Sequence, residues 1–371
     1  SYPLRSDFAH VVGYVGPVSD YDLDRIEDPD QLLRIPRFQI GKVGMEAKLE
    51  EQLRGKAGAK RVEVNAVGRV MRELDRREGQ AGSNIQLTVD HMLQNYVQAR
   101  LGEESAAAIV MDCETGDLLA IASSPSFDPN LFVEGISVAD YKGLTENTYR
   151  PLASKSVQGL YPPGSTFKMV TALAALEDGA ITPDDTFYCP GHLEVGGRKF
   201  HCWKRAGHGN VDLQKSLRES CDVYYYELAL KIGIEKISAM ATRLGIGVRP
   251  DIPMSAVATG LAPTKAWKLE NKAKEWVIGD SVNASIGQGF VLASPLQLAV
   301  MTARIATGRA VEPRLVKSID SVEQPSGVGD PLGINENTLR QVRRAMAAVS
   351  NDRRGTAYRS RILEDAFQMA G

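Results

Sequence analysis

The spacing of apolar positions changes near residue 83. Residues 1–82 are rich in charge and hold no long apolar run. Within them, residues 8–16 carry β-branched and aromatic side chains between glycines, which predicts a strand. Met45, Leu49 and Leu53 recur at i, i+4 and i+8, predicting one amphipathic helix over 41–55 closed by Gly55. Residues 61–74 alternate like one strand, Asp75-Arg-Arg-Glu78 reads as a solvated turn, and Gln80-Ala-Gly-Ser83 reads as a linker. From Asn84 the texture differs. Residues 85–89 alternate, Asp90 stands where it would cap a helix over 91–101, and the apolar runs 106–111 and 118–122 flank Glu114-Thr-Gly-Asp117, a hairpin signal. Helical spacing then dominates at 165–177, 212–219, 223–232, 235–243, 294–307 and 336–350. Strands followed by helices predict an α+β domain over 83–371, behind a separate N-terminal unit over 1–82.

Composition narrows the classes. Lys+Arg 44 against Asp+Glu 46 leaves a net charge of −2 over 371 residues, which argues against a dominant nucleic-acid-binding surface. Hydrophobic content of 43% and charged content of 24% are those of a globular chain of two or three domains. No apolar run reaches the ~18 residues of a membrane span, and no signal-peptide pattern opens the chain. The start at Ser1, without methionine, and the stop after Met369-Ala-Gly371 read as a fragment cut at both ends.

Tyr161-Pro-Pro-Gly-Ser-Thr-Phe-Lys168 is the most informative segment. Its Pro-Pro-Gly cannot be interior helix, whereas 167–176 is almost wholly apolar and runs to Gly179, a C-cap signal. Ser165 is therefore placed at a helix N-terminus with Lys168 one turn on, on the same face. A lysine in an apolar wall is a suitable base for a serine nucleophile, and the helix start offers free N–H groups to a developing oxyanion. An N-capping serine followed by a solvated lysine is the bland alternative. Against it, Ser165 is the only serine with lysine at i+3, and the following helix is too apolar for a surface helix. Ser220-Cys-Asp222 lies 55 residues later, at the junction of two helical patterns, where Ser220 and Asp222 can face inward together. The same Ser-x-Asp/Asn spacing occurs at Ser281, Ser318 and Ser350, so the junction is what favours Ser220.

Four cysteines are too few for a disulfide scaffold. Cys189, Cys202, His208 and Cys221 are nonetheless spaced 13, 6 and 13 residues apart, and Cys₃His is a normal structural zinc set, here without the usual Cys-x-x-Cys. A Cys189–Cys202 disulfide and free buried thiols are the alternatives, with His192 and His201 as rival ligands. Cys113 lies apart and reads as a small buried hydrophobe. His10 and His91 read as structural, and Trp203 as a cover for the metal loop or a wall of the active site.

Ser165-Thr-Phe-Lys168, preceded by Tyr-Pro-Pro-Gly, resembles the first motif of the penicillin-recognising serine transpeptidases. Ser220-Cys-Asp222 resembles their second motif, with Asp in the usual place of Asn. Gly44-Met-Glu and Leu53-Arg-Gly55 resemble the pedestal of class B penicillin-binding proteins. Leu87-Thr-Val-Asp90 with Gln94, Ala284-Ser-Ile-Gly-Gln-Gly289 and Ser294-Pro-Leu-Gln297 resemble their transpeptidase domain, closest to the elongation-specific penicillin-binding protein 2 group. The resemblance implies an elongated α+β pedestal before an antiparallel sheet with helices on both sides and an all-helical region. It implies a peptidoglycan D,D-transpeptidase in which Ser165 forms the acyl-enzyme, Lys168 is its base, and Ser220 and Asp222 assist. β-Lactams would acylate Ser165. Some members of the group resemble this chain in holding structural zinc at positions such as Cys189, Cys202, His208 and Cys221. Implied partners are stem peptides, a glycosyltransferase and associated membrane proteins of the elongation machinery, but no nucleic acid. The implied place is the periplasmic face of the bacterial inner membrane, behind a single N-terminal anchor. The third motif, Lys-Thr/Ser-Gly, does not occur, and the resemblance places it directly after Gly371. A class D serine β-lactamase, which also uses Ser-Thr-Phe-Lys, and a non-catalytic sensor or scaffold are the rival readings.

Overall fold

The computed structural model describes residues 1–371 except Asp28, Asp365 and Ala366. Near the N-terminus, strand Tyr14–Pro17 pairs antiparallel with Gln39–Val43. This pairing overrides two local expectations. Residues 8–16 do not form one strand: Ala9–Val12 is a helical turn that ends at Gly13 (φ 80°) before the strand begins. The helix expected over 41–55 starts only at Gly44, because 41–43 are used by the sheet, and it breaks at Leu49 into Gly44–Lys48 and Glu50–Arg54. Its predicted stop at Gly55 is present, with φ 74°. The alternation over 61–74 is a hairpin, Ala59–Val64 with Val70–Arg77, exposed along nearly its whole length. Its turn forms because the Asn65 side chain accepts from Val67 and Arg69 N–H, a local bond that asparagine favours.

A small apolar patch of this N-terminal part packs against later residues. Val11 and Met45 join a core with Leu118, Ile121, Val157, Leu296 and Leu315, and Ala9 packs with Phe127 and Phe132. Polar ties reinforce the contact: Tyr2 N–H donates to Asn130, and Gly44 N–H donates to Ser255 Oγ at 2.8 Å.

The α+β part begins with Ile85–Leu87, which pairs with the central strand Val316–Ile319 of a three-stranded antiparallel sheet completed by Val322–Glu323. Helix His91–Leu101 is capped as expected by Asp90, whose carboxylate accepts from Met92 and Leu93 N–H. The hairpin Ala106–Met111 with Leu118–Ser124 follows. Helix His91–Leu101 packs on its second strand and Pro295–Thr307 on its first. The buried Gln94 carboxamide reaches from that helix to both Ile121 backbone groups and to the Asp7 carbonyl, joining helix, hairpin and N-terminal segment.

The helical region forms the largest core. Helix Lys168–Glu177 is buried on every side from Lys168 to Ala175 and packs along Asp222–Arg243. The latter is one long helix kinked at Gly233 (φ 74°, ψ 171°), which explains why its apolar pattern reads as two segments. Glu336–Asn351 packs on Leu213–Arg218 and on Lys168–Glu177, while Ile278–Ala284 packs on Asp222–Arg243.

His10 is poised to sense acid. Its ring lies edge-on to Phe127 at 5.4 Å, and its buried Nε2 has no partner among the described residues. Burial first, and the Lys155 charge second, push its pKa down to about 4. The folded ring therefore stays neutral where the unfolded one takes up a proton, so stability is lost as pH falls from about 6.5 toward 4. Urea titrations at pH 7 and pH 4.5 should differ by about 2–3 kcal/mol from this group, and His10→Phe should remove most of that difference. An unchanged slope in the variant would show that other groups carry the acid sensitivity.

Candidate active site

Ser165 lies in a 3₁₀ turn, Gly164–Phe167, that feeds directly into helix Lys168–Glu177. Pro163 occupies the cap position and no side chain caps the turn, so the Ser165 hydroxyl is not consumed as an N-cap. It is exposed, while Lys168 is 1% exposed in the wall of the core. The turn is held from behind by Ala284-Ser-Ile-Gly-Gln-Gly289. Gly164 N–H donates to the Gly287 carbonyl at 2.9 Å, and Thr171 Oγ1 donates to that of Ser285 at 2.8 Å. Gly287 has φ +68°, and a Cβ there would stand 2.4 Å from the Gly164 oxygen. The two backbones can meet only because this residue is glycine.

The junction expected at 220 is real: Leu213–Arg218 ends just before it and Asp222–Arg243 begins just after. Ser220 adopts φ 52°, a left-handed conformation that costs free energy in a non-glycine residue. It presents both its carbonyl and its hydroxyl to the same ammonium. Lys168 Nζ donates to Ser220 O at 2.9 Å, to Ser220 Oγ at 2.9 Å and to Asp222 Oδ1 at 2.7 Å. Ser220 Oγ in turn donates to Ser165 Oγ at 3.0 Å. The four residues thus form a line, Ser165–Ser220–Lys168–Asp222, with Ser220 between the Ser165 hydroxyl and the Lys168 ammonium. The Tyr225 ring lies 5.6 Å below the same ammonium and Tyr225 is wholly buried, which pushes its phenol well above the usual range.

Asp222 faces two ways. Its second oxygen accepts the Trp203 backbone N–H at 2.9 Å, and its own N–H donates to Cys202 Sγ at 3.4 Å. That sulfur belongs to the second cluster. Cys189 ends strand Phe187–Cys189, Cys202 follows strand Arg198–His201, His208 precedes strand Gly209–Val211, and Cys221 caps the helix that starts at Asp222. Their donor atoms all lie within 4.8 Å of one another, and all four residues are buried. His208 Nδ1 stands 3.6 Å from Cys189 Sγ and 3.5 Å from Cys202 Sγ. Sulfur and nitrogen held tetrahedrally at ordinary zinc bond lengths are separated by about 3.6 Å, so the donor set fits that ion. All four cysteines are unpaired in this structure. His192 and His201 face each other across the hairpin, outside the set, and Cys113 is likewise apart from it. The hydrogen bond from Cys221 lowers the pKa of the Cys202 thiol, while the same contact and burial push that of Cys221 up.

The sequence signals put Ser220 forward as a proton relay to Lys168 and Asp222 as a partner of Lys168 or of substrate; they did not reveal the hydrogen bond of Ser220 to Ser165, the contact of Trp203 with Asp222, or the clasp of Gly287 on Gly164. The Gly287 clasp had a signal, the Gly-x-Gly of 287–289 in an otherwise helical stretch.

Comparisons with known proteins agree with this architecture. The model described as the penicillin binding protein transpeptidase domain matches residues 106–371, and that of the penicillin-binding protein dimerisation domain matches residues 1–87. The peptidoglycan D,D-transpeptidase MrdA of Haemophilus influenzae is 37% identical over 381 residues, covering 100% of this chain and 58% of that protein. The structure of Pseudomonas aeruginosa PBP2 in complex with WCK 5153 superimposes with a TM-score of 0.86 at 35% identity, covering 97% of this chain and 76% of that one. PBP2 of Helicobacter pylori, solved in complex with MreC, gives 0.90 at 36% identity, covering 98% and 67%. The chain spans 58% of the length of the first curated relatives it matches. Agreement of this extent, in sequence and in backbone together, shows that the chain belongs to the penicillin-binding proteins that carry a transpeptidase domain behind a dimerisation domain.

Proposed function

We propose that this chain is the catalytic part of a peptidoglycan D,D-transpeptidase. The observation that carries the proposal is the unbroken line from Ser165 Oγ through Ser220 Oγ to Lys168 Nζ. Ser165 Oγ attacks the carbonyl of the penultimate D-Ala of a stem peptide. With Lys168 as the amine both bonds reverse, Ser165 donating to Ser220 and Ser220 to Nζ, so the Ser165 proton moves to Ser220 Oγ as the Ser220 proton moves to Nζ, and the bridging hydroxyl ends unchanged. The terminal D-Ala leaves with a proton returned along the same line, and the acyl-enzyme remains. An amine of a second stem peptide then attacks the ester and forms the cross-link, releasing Ser165. Asp222 holds Lys168 in place, and backbone N–H groups of the first helical turn face the developing oxyanion. β-Lactams enter the same first step and stay on Ser165. The substrate-carboxylate donor that the resemblance assigns to Lys-Thr/Ser-Gly has no counterpart in residues 1–371, and no residue here is given that role. The match of residues 1–87 to a dimerisation domain counts against a compact class D β-lactamase. By the same resemblance the protein works at the periplasmic face of the inner membrane with elongation partners. That the Helicobacter pylori relative was solved in complex with MreC supports a protein partner.

A structural zinc ion fits Cys189, Cys202, His208 and Cys221. Its chemistry here is a cross-link: it would tie the strands of 187–211 to the helix start that carries Ser220 and Asp222. This gives the segment 190–210, otherwise rich in glycine and poor in apolar side chains, a reason to be ordered.

In the intact gene product, fluorescent penicillin should label the wild type, and Ser165→Ala should lose the label altogether. Ser220→Ala should keep the nucleophile but acylate about 10²–10⁴-fold more slowly, as expected for a lost proton carrier. Labelling that survives Ser165→Ala would reject the assignment. Elemental analysis should find about one zinc per chain, lost in Cys202→Ser together with a marked fall in melting temperature. A metal-free protein that is fully folded would reject the metal site.

A further inference from the structure

The segment that carries the metal donors also carries charge. Residues 191–209 hold Arg198, Lys199, Lys204 and Arg205 against Glu194 alone, a surplus of three in a chain whose total is −2. All four basic side chains are exposed, and none has a carboxylate partner among the described residues; Arg198 lies over the Phe200 ring at 5.3 Å. A run of solvated cations usually means little when its backbone is mobile. This backbone is fixed. Loop 203–207 is held at both ends by the buried Cys202 and His208. At its start, Trp203 N–H donates to Asp222 and the indole Nε1–H donates to the Glu219 carbonyl at 3.1 Å. In its middle, the Arg205 backbone lies so close to Gly191 that a Cβ on Gly191 would stand 2.1 Å from the Arg205 oxygen. The neighbouring hairpin, which presents Arg198 and Lys199, is pinned by Phe200 packing on Tyr226 at 6.0 Å and by the Tyr226 hydroxyl donating to the His201 carbonyl at 3.1 Å.

The loop is also in the right place. Trp203 is one hydrogen bond from Asp222, which is itself one hydrogen bond from Lys168, and the indole is 59% exposed. We propose that residues 198–205 form a pre-organised basic rim beside the active site that recognises free carboxylates on the stem peptide, upstream of its D-Ala-D-Ala end, with Trp203 as the apolar platform for the peptide stem. The proposal rests on the transpeptidase reading. Unpaired cations on a rigid backbone lose little freedom on binding, and a cluster of one sign steers an anionic substrate toward the adjacent nucleophile.

The test uses the intact protein and two acyl-D-Ala-D-Ala peptides that are identical except that the upstream carboxylates of one are amidated. D-Ala release gives kcat/KM for each. The wild type should prefer the acidic peptide about tenfold at low salt, and the preference should shrink as salt is raised. Arg198→Glu/Lys199→Glu and Lys204→Glu/Arg205→Glu should each bring the ratio near one or below, with penicillin labelling and metal content retained as evidence of folding. Trp203→Ala should slow both peptides alike and leave their ratio unchanged. A wild-type ratio of one, or a preference that survives both charge reversals, overturns the rim as a carboxylate reader while leaving the transpeptidase intact. A wild type that neither releases D-Ala nor takes up penicillin overturns the underlying reading instead.

Discussion

A lysine ammonium buried in the wall of a helical core must find oxygens, and the architecture of the site follows from that demand. Burying an unpaired charge costs far more than a fold of marginal stability can absorb. Lys168 has three N–H bonds to satisfy and finds three acceptors, two on Ser220 and one on Asp222. The left-handed backbone of Ser220 is the local cost of presenting carbonyl and hydroxyl to one atom. That arrangement leaves the Ser220 hydroxyl facing Ser165, so the bond that makes the buried cation tolerable is also the link between Lys168 and the Ser165 hydroxyl.

The second constraint is how a helix junction is kept in an unusual conformation. Cys221 separates Ser220 and Asp222 in sequence and is itself buried among Cys189, Cys202 and His208. Asp222 N–H bonds to the sulfur of Cys202, and Trp203 N–H bonds to the carboxylate of Asp222. The cysteine cluster and the catalytic line are therefore one connected polar unit, in which each member limits the freedom of the next. On the opposite side, the backbone of Gly287 performs the same service for the nucleophile turn.

Much of this was legible in the order of residues, and the failures have more than one cause. Helix His91–Leu101 and its Asp90 cap follow from local signals, as do the hairpin after Ala106 and the apolar helix after Lys168. Expectations failed where long-range pairing competes with local spacing. Residues 41–43 look helical by period yet are taken by a strand from 14–17; the 61–74 miss is different and local, since the alternation runs on across a turn at Asn65–Arg69 that Asn65 and Gly68 (φ 81°) mark. Ser165 and Lys168 stood out because one motif puts both on one turn. The relation of Ser220 to Ser165 was not legible, because it depends on a backbone angle at one residue and on packing between helices far apart in sequence. Strand register places His192 and His201 opposite each other across their hairpin, while His208 is the histidine grouped with the three cysteines.

The central claim is that Ser220 and Lys168 act on Ser165 as one proton line and not as separate aids. A double-mutant cycle on the rate of Ser165 acylation by penicillin tests it most directly, with Ser220→Ala, Lys168→Ala and the double variant compared in the intact protein. The account predicts strong non-additivity, with the double variant scarcely slower than the slower single variant, because either change breaks the same line. Rate losses that multiply, each variant contributing its full factor in the presence of the other, would contradict it.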